Sequence, residues 1–503
     1  MRQCETQMIT RRFFIAGAVS FGAFHGLRAF AAPSDFGLRR RGNLRFGVIS
    51  DIHVALSLKD GVTPNGMPRI VEDAFRYFRD QGVDAVVIPG DLASFGTVAE
   101  LRLVADAWNR TFPDGKLPDG RRVERIFVMG NHDWEGWRYS GFADKFLPDP
   151  ADRLKNVLAL DRERHWREVF GEDFRQFNVK TVNGYDFIQA HFIGNEKGRS
   201  RLTEADCHRG IREFYAAYRP DPHRPFFHIQ HPMPKNTCYG PWGWGRDNGD
   251  SVSALSAFPC AVSFSGHSHY PISDERAIWQ GAFTSIGCGT LAAPSRTPGR
   301  AGLDLYDSSA AFDIENVKRD SDIVSVMDVV ESNANGRCAL LVDVYDDEMR
   351  ISRLQMPARR TIGYDWVVPL GDESARPFAF VARAKKALAP EFPSTARLVV
   401  EKTEVKGHAG IALTFPVADA IRGARAYEYE VTVVGDGGER SVHRVLPPGY
   451  NGSEEDPAAA LNPHCELALD RLPKSSGRLR FEVRPRECFG RTGRAIAAEL
   501  SCG

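Results

Sequence analysis

The sequence predicts an α/β domain followed by a smaller all-β domain, and three observations carry that prediction. Before residue 290, five short apolar runs each end in a turn that holds Asp, Asn or His. Amphipathic stretches with helical spacing separate the early runs. After Pro357 apolar and polar residues alternate strictly and helix signals become sparse.

The elements follow in order. Leu44 to Ser50 reads as the first strand. Met67 to Gln81 reads as an amphipathic helix with Ile70, Ala74, Phe75 and Phe78 on one face, and Gly82 ends it. Val83 to Pro89 is the next strand, which makes a βαβ unit. Ala99 to Trp108 is a second helix, and Pro113-Asp114-Gly115 and Pro118-Asp119-Gly120 are turns. Arg125 to Met129 is the third strand. Residues 134–175 form a long insert with one helix, Asp161 to Phe170. Phe177 to Thr181 and Tyr185 to Ala190 flank Asn183-Gly184, a hairpin turn. Thr203 to Tyr218 reads as a helix with Thr203 as N-cap. Pro225 to Gln230 is a further strand. Asn236 to Asp250 is turn-rich and holds Tyr239, Trp242 and Trp244. These aromatics, with Trp134 and Trp137, either rim a ligand site or anchor their own loops. Residues 295–335 read as an irregular excursion, and Cys338 to Met356 as a hairpin that closes the first domain.

These elements divide the chain into residues 1–31, 32–360 and 361–503. In the last part Tyr427, Tyr429, Val431 and Val433 alternate with polar residues, as do Leu479, Phe481 and Val483. That is the pattern of a β-sandwich. Arg478, Arg480, Arg484 and Arg486 fall on the other face of their strand, which reads as a solvated face. Lys plus Arg and Asp plus Glu each number 65, so net charge makes no case for nucleic acid or an anionic membrane as partner. Thr10-Arg11-Arg12-Phe13-Phe14-Ile15 resembles a twin-arginine export signal. The apolar stretch from Ile15 to Leu27 is too short to span a bilayer stably, and Ala29-Phe30-Ala31 suits cleavage after Ala31. The expectation is a periplasmic or otherwise exported protein without a stable membrane span. Of nine cysteines, Cys4 lies in that leader. The rest show no zinc spacing and read as buried thiols.

The five turns carry the chemistry. Asp51 and His53 end the first strand in Ser50-Asp51-Ile52-His53, and Asp91 ends the second in Pro89-Gly90-Asp91. Asn131 and His132 follow the third in Gly130-Asn131-His132-Asp133. His231 follows Phe227-His228-Ile229-Gln230, and His267 and His269 lie in Gly266-His267-Ser268-His269. Buried parallel strands would place these loops together at one sheet edge. Two Asp, one Asn and four His converging there make an oxygen and nitrogen donor set able to hold two divalent metals.

The order D-x-H, G-D, G-N-H-D, H, G-H-x-H resembles the calcineurin-like metallophosphoesterase family over roughly residues 44 to 290. The resemblance implies a four-layer α/β/β/α sandwich. It implies that Asp51, His53 and His269 hold one metal, that Asn131, His231 and His267 hold the other, and that Asp91 bridges them. These ligands accept Mn, Fe, Zn or Ni. His228 is a second candidate at the fourth block, and His231, just before a proline, fits the family better. The implied reaction is attack on phosphorus by a hydroxide shared between the metals, with His132 near the leaving oxygen as proton donor or charge stabiliser. Ser94 and His53 stand where purple acid phosphatases carry Tyr and Gly. Gly90-Asp91-Leu92-Ala93-Ser94-Phe95-Gly96 lacks the second Asp and the Arg of protein Ser/Thr phosphatases. What remains resembles a broad bacterial group that includes cyclic-nucleotide and glycerophosphodiesterases. The expectation is an exported phosphoesterase acting on a small phosphate ester, diester before monoester. The alternative is an exported, non-catalytic binding or adhesion protein built on the same scaffold. The end of the chain resembles a fibronectin type III-like domain.

Overall fold

The computed structural model describes residues 42–194, 208–240, 245–292, 336–371, 375–405, 407–421 and 424–501. The leader, Thr203, Trp242, Trp244 and the excursion over 295–335 lie outside the described residues.

β1 (Leu44–Val48), α1 (Met67–Asp80), β2 (Ala85–Pro89), α2 (Val98–Thr111) and β3 (Glu124–Val128) form the alternating run that the sequence predicts. Every residue of β1 and β2 is buried, which is why both read as continuous apolar runs and not as alternating ones. α1 lacks a side-chain N-cap bond but buries Met67, Val71, Phe75 and Phe78. Each such side chain contributes roughly 1.5–3 kcal/mol, so packing outweighs the missing cap. α2 begins at a capping box between Thr97 and Glu100, worth about 1 kcal/mol.

The insert holds α3 (Asn131–Tyr139), α4 (Phe142–Phe146), α5 (Pro150–Asn156) and α6 (Arg162–Phe170), where the sequence predicts α6 alone. There follow β4 (Phe177–Val182), β5 (Tyr185–Ala190), α7 (Ile211–Tyr218), β6 (Phe226–Gln230), α8 (Asp250–Leu255), β7 (Ala261–Ser265), β8 (Ile278–Gln280) and β9 (Thr284–Gly287). β10 (Cys338–Val344) and β11 (Glu348–Gln355) are the expected hairpin, followed by β12 (Arg360–Thr361) and β13 (Trp366–Pro369).

The strands that carry the five turns do not share one sheet, contrary to the expectation of a single sheet edge. β1, β2 and β3 run parallel in a seven-stranded sheet of order β12-β11-β10-β1-β2-β3, with β13 paired to β11. β6 and β7 belong to a six-stranded sheet of order β4-β5-β6-β7-β9-β8, in which β5, β6, β7 and β9 are parallel. Apolar packing brings the two sheets together. The Phe46 ring meets Phe187, Phe227 and Phe264 edge-on at 5.3, 5.0 and 5.5 Å, within a buried cluster drawn from both sheets. A second cluster joins the first sheet to α1, α2 and α6, and a third joins the second sheet to α7 and α8.

After α9 (Phe380–Lys386) the chain is all-β: β14 (Val399–Val405), β15 (His408–Thr414), β16 (Glu428–Gly435), β17 (Arg440–Val445), β18 (His464–Ala468), β19 (Arg478–Arg486) and β20 (Ile496–Ser501). They form sheets of order β14-β15-β18 and β17-β16-β19-β20. A common cluster includes Ile411, Leu413, Tyr429, Val431, Leu467, Phe481 and Val483, of which Tyr429, Val431, Phe481 and Val483 belong to the predicted alternation. On the outer face of β19, Arg478 pairs with Glu499, Arg480 with Glu482 and Arg486 with Glu430. The first two pairs are largely exposed and contribute under about 1 kcal/mol each. The six described cysteines are buried. Among the described residues no helix is long and apolar enough to cross a membrane.

Candidate metal centre

The loops after β1 and β2 prolong the ladder of their strands. Asp51 N–H donates to the Gly90 carbonyl, His53 N–H to Asp91 and Val54 N–H to Leu92, at 3.2, 3.1 and 3.0 Å. Along this extension the backbone turns left-handed at Asp51 (φ 49°), His53 (φ 44°) and Asp91 (φ 53°), and it does so again at His267 (φ 71°) and His269 (φ 54°). Such a conformation costs an L-residue roughly 1–2 kcal/mol. It persists where the surroundings over-determine it, and such residues cluster at functional sites.

The result is a convergence of donor atoms. His269 Nε2 lies 3.1 Å from Asp51 Oδ1 and 3.1 Å from His53 Nε2, which is 3.5 Å from Asp91 Oδ2. On the other side of Asp91, His231 Nε2 lies 3.2 Å from the same Oδ2 and 3.0 Å from Asn131 Oδ1. The His267 ring stands 4.9 Å from that of His231. Asp51, His53, Asp91 and His269 form one group with donor atoms within 4.8 Å of one another, Asp91, His231 and His267 form a second, and Asp91 is common to both.

The donor chemistry fits cations. His231 Nδ1 lies 2.8 Å from the Pro89 carbonyl, which can only accept, so Nδ1 carries a proton and a neutral ring would present its lone pair at Nε2. That lone pair faces a carboxylate oxygen and an amide oxygen, an arrangement that calls for positive charge between them. Burial pushes His231 down, yet Asp91 and Asp51 outweigh it and hold the ring up to about 9, so without a cation Nε2 keeps a proton whose place a bound metal ion would take. Burial pushes His53 and His267 down to about 3, so both are neutral, the form that ligates metal. Burial also opposes ionisation of Asp51 and Asp91, but the histidines beside them hold both carboxyls below the usual range.

The neighbouring groups fix these ligands. Asp51 accepts from Ser50 Oγ–H at 2.6 Å and from His267 N–H at 3.0 Å. Asp91 Oδ1 accepts from His132 N–H at 2.9 Å. A side chain at Gly130 would place its Cβ 2.2 Å from Asp91 Oδ1, so only glycine lets the third loop approach the carboxylate. His132 Nδ1 meets the Ser94 carbonyl at 2.9 Å, and its ring stands edge-on to His53 at 4.7 Å.

Residues 44–271 match the family described as Calcineurin-like phosphoesterase. The chain carries a calcineurin-like metallophosphoesterase domain. Among solved structures it is similar to a dimetal phosphatase from Danio rerio, 13% identical, with 65% of this chain and 99% of that one covered and a TM-score of 0.35. A conserved uncharacterized protein of Streptococcus pneumoniae, titled a predicted phosphoesterase, is 14% identical over 65% and 97% of the chains, at TM-score 0.26. Vacuolar Protein Sorting 29 of Cryptosporidium parvum is 9% identical over 66% and 98%, at TM-score 0.25. No match was found among curated proteins.

Within this metallophosphoesterase domain the structure brings Asp51, His53, Asp91, Asn131, His231, His267 and His269 together, with His132 beside them. His228 turns away: its Nδ1 meets Tyr215 Oη at 2.9 Å and its Nε2 meets Gln230 at 2.7 Å. Tyr239 is buried edge-on against Tyr270 at 4.8 Å and so anchors its loop. Trp134 packs on the helical cluster beneath Arg162, and Trp137 lies half-buried between Arg138 and Arg153. The sequence reading assigned no role to Asp133. Fully buried, it accepts from Leu92 N–H, Ala93 N–H and Gly130 N–H at 3.1, 2.8 and 2.8 Å, tying the second loop to the third. Burial and the nearby Asp91 charge push its carboxyl up to about 7. Its place next to His132 in the Gly130–Asp133 block was the available signal.

Proposed function

We propose that this chain is an exported phosphoesterase that uses two divalent metal ions and favours small phosphodiesters over monoesters. One observation carries the reading: two groups of donor atoms share the single carboxylate of Asp91. Asp51, His53, Asp91 and His269 would hold one ion, and Asp91, Asn131, His231 and His267 the other. When bound, such ions supply Lewis-acid activation of water and neutralise phosphate charge. His132 acts on the proton. With Nδ1–H committed to the Ser94 carbonyl, Nε2 is the atom from which a proton would pass to the leaving oxygen. The α3 backbone fixes that ring, since His132 N–H is itself tied to Asp91.

The three buried clusters around and between the two sheets support a four-layer α/β/β/α architecture. The three- and four-stranded sheets after residue 398 support a fibronectin type III-like sandwich. Because β12 and β13 pair with β11, we place the junction between the two domains after Pro369. The Arg11-Arg12 leader supports export, and a reporter fused behind residues 1–40 tests it. The activity test is hydrolysis of bis-p-nitrophenyl phosphate and p-nitrophenyl phosphate by the metal-stripped chain, with and without added Mn²⁺. The diester should turn over faster. Absence of turnover with both metals bound would favour the binding-protein alternative.

A further inference from the structure

The segment that follows the last ligand block is clamped by the C-terminal sandwich. His267 and His269 hold left-handed backbone. On their N-terminal side the site itself restrains them, through Gly266 N–H to the His231 carbonyl and His267 N–H to Asp51, both at 3.0 Å. On the C-terminal side the anchors come from further away. The Arg353 guanidinium donates to the Ile272 carbonyl at 3.0 Å. Ser273 Oγ–H donates to the carbonyl of Tyr450, in the loop between β17 and β18. Arg276 grips Asp274 with two prongs at 3.0 and 2.7 Å, and their side chains are 0% and 1% exposed. The ring of Tyr427, which immediately precedes β16, covers that guanidinium at 4.7 Å, and Tyr450 Oη–H donates to Tyr427 Oη at 2.9 Å.

A charge pair withdrawn from water needs a cover, and here the sandwich provides it. Without Tyr427 and Tyr450 the Asp274–Arg276 pair would be hydrated, and the segment from 270 to 276 would lose its outer wall. His269 is the ligand candidate that feels this most. It is the candidate ligand nearest this segment along the chain, and its side chain is 25% exposed where those of His53 and His231 are 14% and 0%.

We propose that the C-terminal sandwich is a positioning part of the metal centre: Tyr427 and Tyr450 lock the Ser273–Arg276 segment, and through it the backbone that aims His269. The proposal rests on the dinuclear reading above. It makes the sandwich an integral wall of the enzyme and not a tethered module.

The test is calorimetric titration of the full-length, metal-stripped chain with Mn²⁺. Wild type should take up two ions. Tyr427→Ala should bind one ion as wild type does and the second about tenfold more weakly, as loss of an outer support does at metal sites. Tyr427→Phe, which keeps the ring, should restore most of the affinity. Arg480→Ala, on the exposed face of β19, should leave both affinities unchanged. A folded Tyr427→Ala chain with two wild-type affinities would overturn the proposal. If Tyr427→Ala does not fold, Ser273→Ala removes only the bond to Tyr450 and carries the same comparison, with a smaller weakening expected and an unchanged titration counting against the idea. Failure of the wild-type chain to bind Mn²⁺ would instead remove the dinuclear reading on which the proposal stands.

Discussion

Gly136→Ala should uncouple His132 from its carbonyl partner while leaving every candidate metal ligand in place. Gly136 lies one helical turn beyond His132 on α3. A Cβ there would sit 2.2 Å from the Ser94 carbonyl oxygen, and contacts under 3.0 Å are essentially never seen. The oxygen must therefore retreat by about 0.8 Å, because the obstacle is backbone and not a flexible side chain. That stretches the His132 Nδ1 contact from 2.9 Å to as much as about 3.7 Å, outside hydrogen-bond range. Alanine is the better helix former by about 0.8–1 kcal/mol, and crowding costs about 1–3 kcal/mol, so the fold survives with a net loss of about 1 kcal/mol. The freed imidazole loses its set tautomer and aim, and a displacement near 1 Å costs up to about 100-fold in rate. We expect kcat to fall roughly 10- to 100-fold, about 1.4–2.7 kcal/mol. The loss should be larger for diesters with poor leaving groups. The assay pairs metal content with kcat for p-nitrophenyl and unsubstituted phenyl esters. Two bound metals with a wild-type rate on the phenyl ester would refute the role given to Ser94 and His132, and loss of metal would refute the claim that the effect is confined to them.

Other perturbations separate the remaining parts. Asp91→Asn removes the charge shared by both donor groups, so the purified chain should hold at most one metal and lose nearly all turnover; two metals and a normal rate would end the bridging assignment. His132→Ala should keep both metals and slow the reaction by roughly 10²–10⁴-fold, with the smaller loss on activated leaving groups. Burial pushes His191, His208 and His228 down to about 3, 3 and 4. The unfolded chain takes up these protons at about 6.5 while the folded chain refuses them. The stability involved is therefore complete above about pH 6.5 and is lost as pH falls toward 4, by about 2 kcal/mol per group at pH 5. Thermal melts between about pH 7 and pH 5 should show Tm declining, and a flat Tm would count against these neutral buried rings.

The sequence by itself determined the ligand-bearing strands, the first two helices and the ligand types, because each depends on local pattern, whereas it did not mark β8, β9, β12, β13 or β17. A fully buried parallel strand reads as an apolar run, α1 shows its face through spacing, and the sandwich shows its inner face through alternation. Polar residues stand out at strand ends because an apolar run must stop for them. The sequence did not show α3. Asn131 to Tyr139 is polar, has Gly136 in its middle, and forms because Asp133 gathers the backbone N–H groups of Leu92 and Ala93 and Gly136 accepts the Ser94 loop, contacts made with residues about 40 positions away. Nor did local pattern show that the ligand-bearing strands divide between two sheets, which only the family resemblance implied, since run length carries no record of which partner strand is paired. Between His228 and His231 the family resemblance favoured His231, and the fold gives the physical reason: strand alternation puts the two on opposite faces, and the burial of Tyr215 against β6 turns His228 into the core. The sandwich contact at Arg276 is the extreme case. No pattern in the sequence singles out Asp274 or Arg276, and only the fold, by laying Tyr427 over them from 151 positions away, makes them buried.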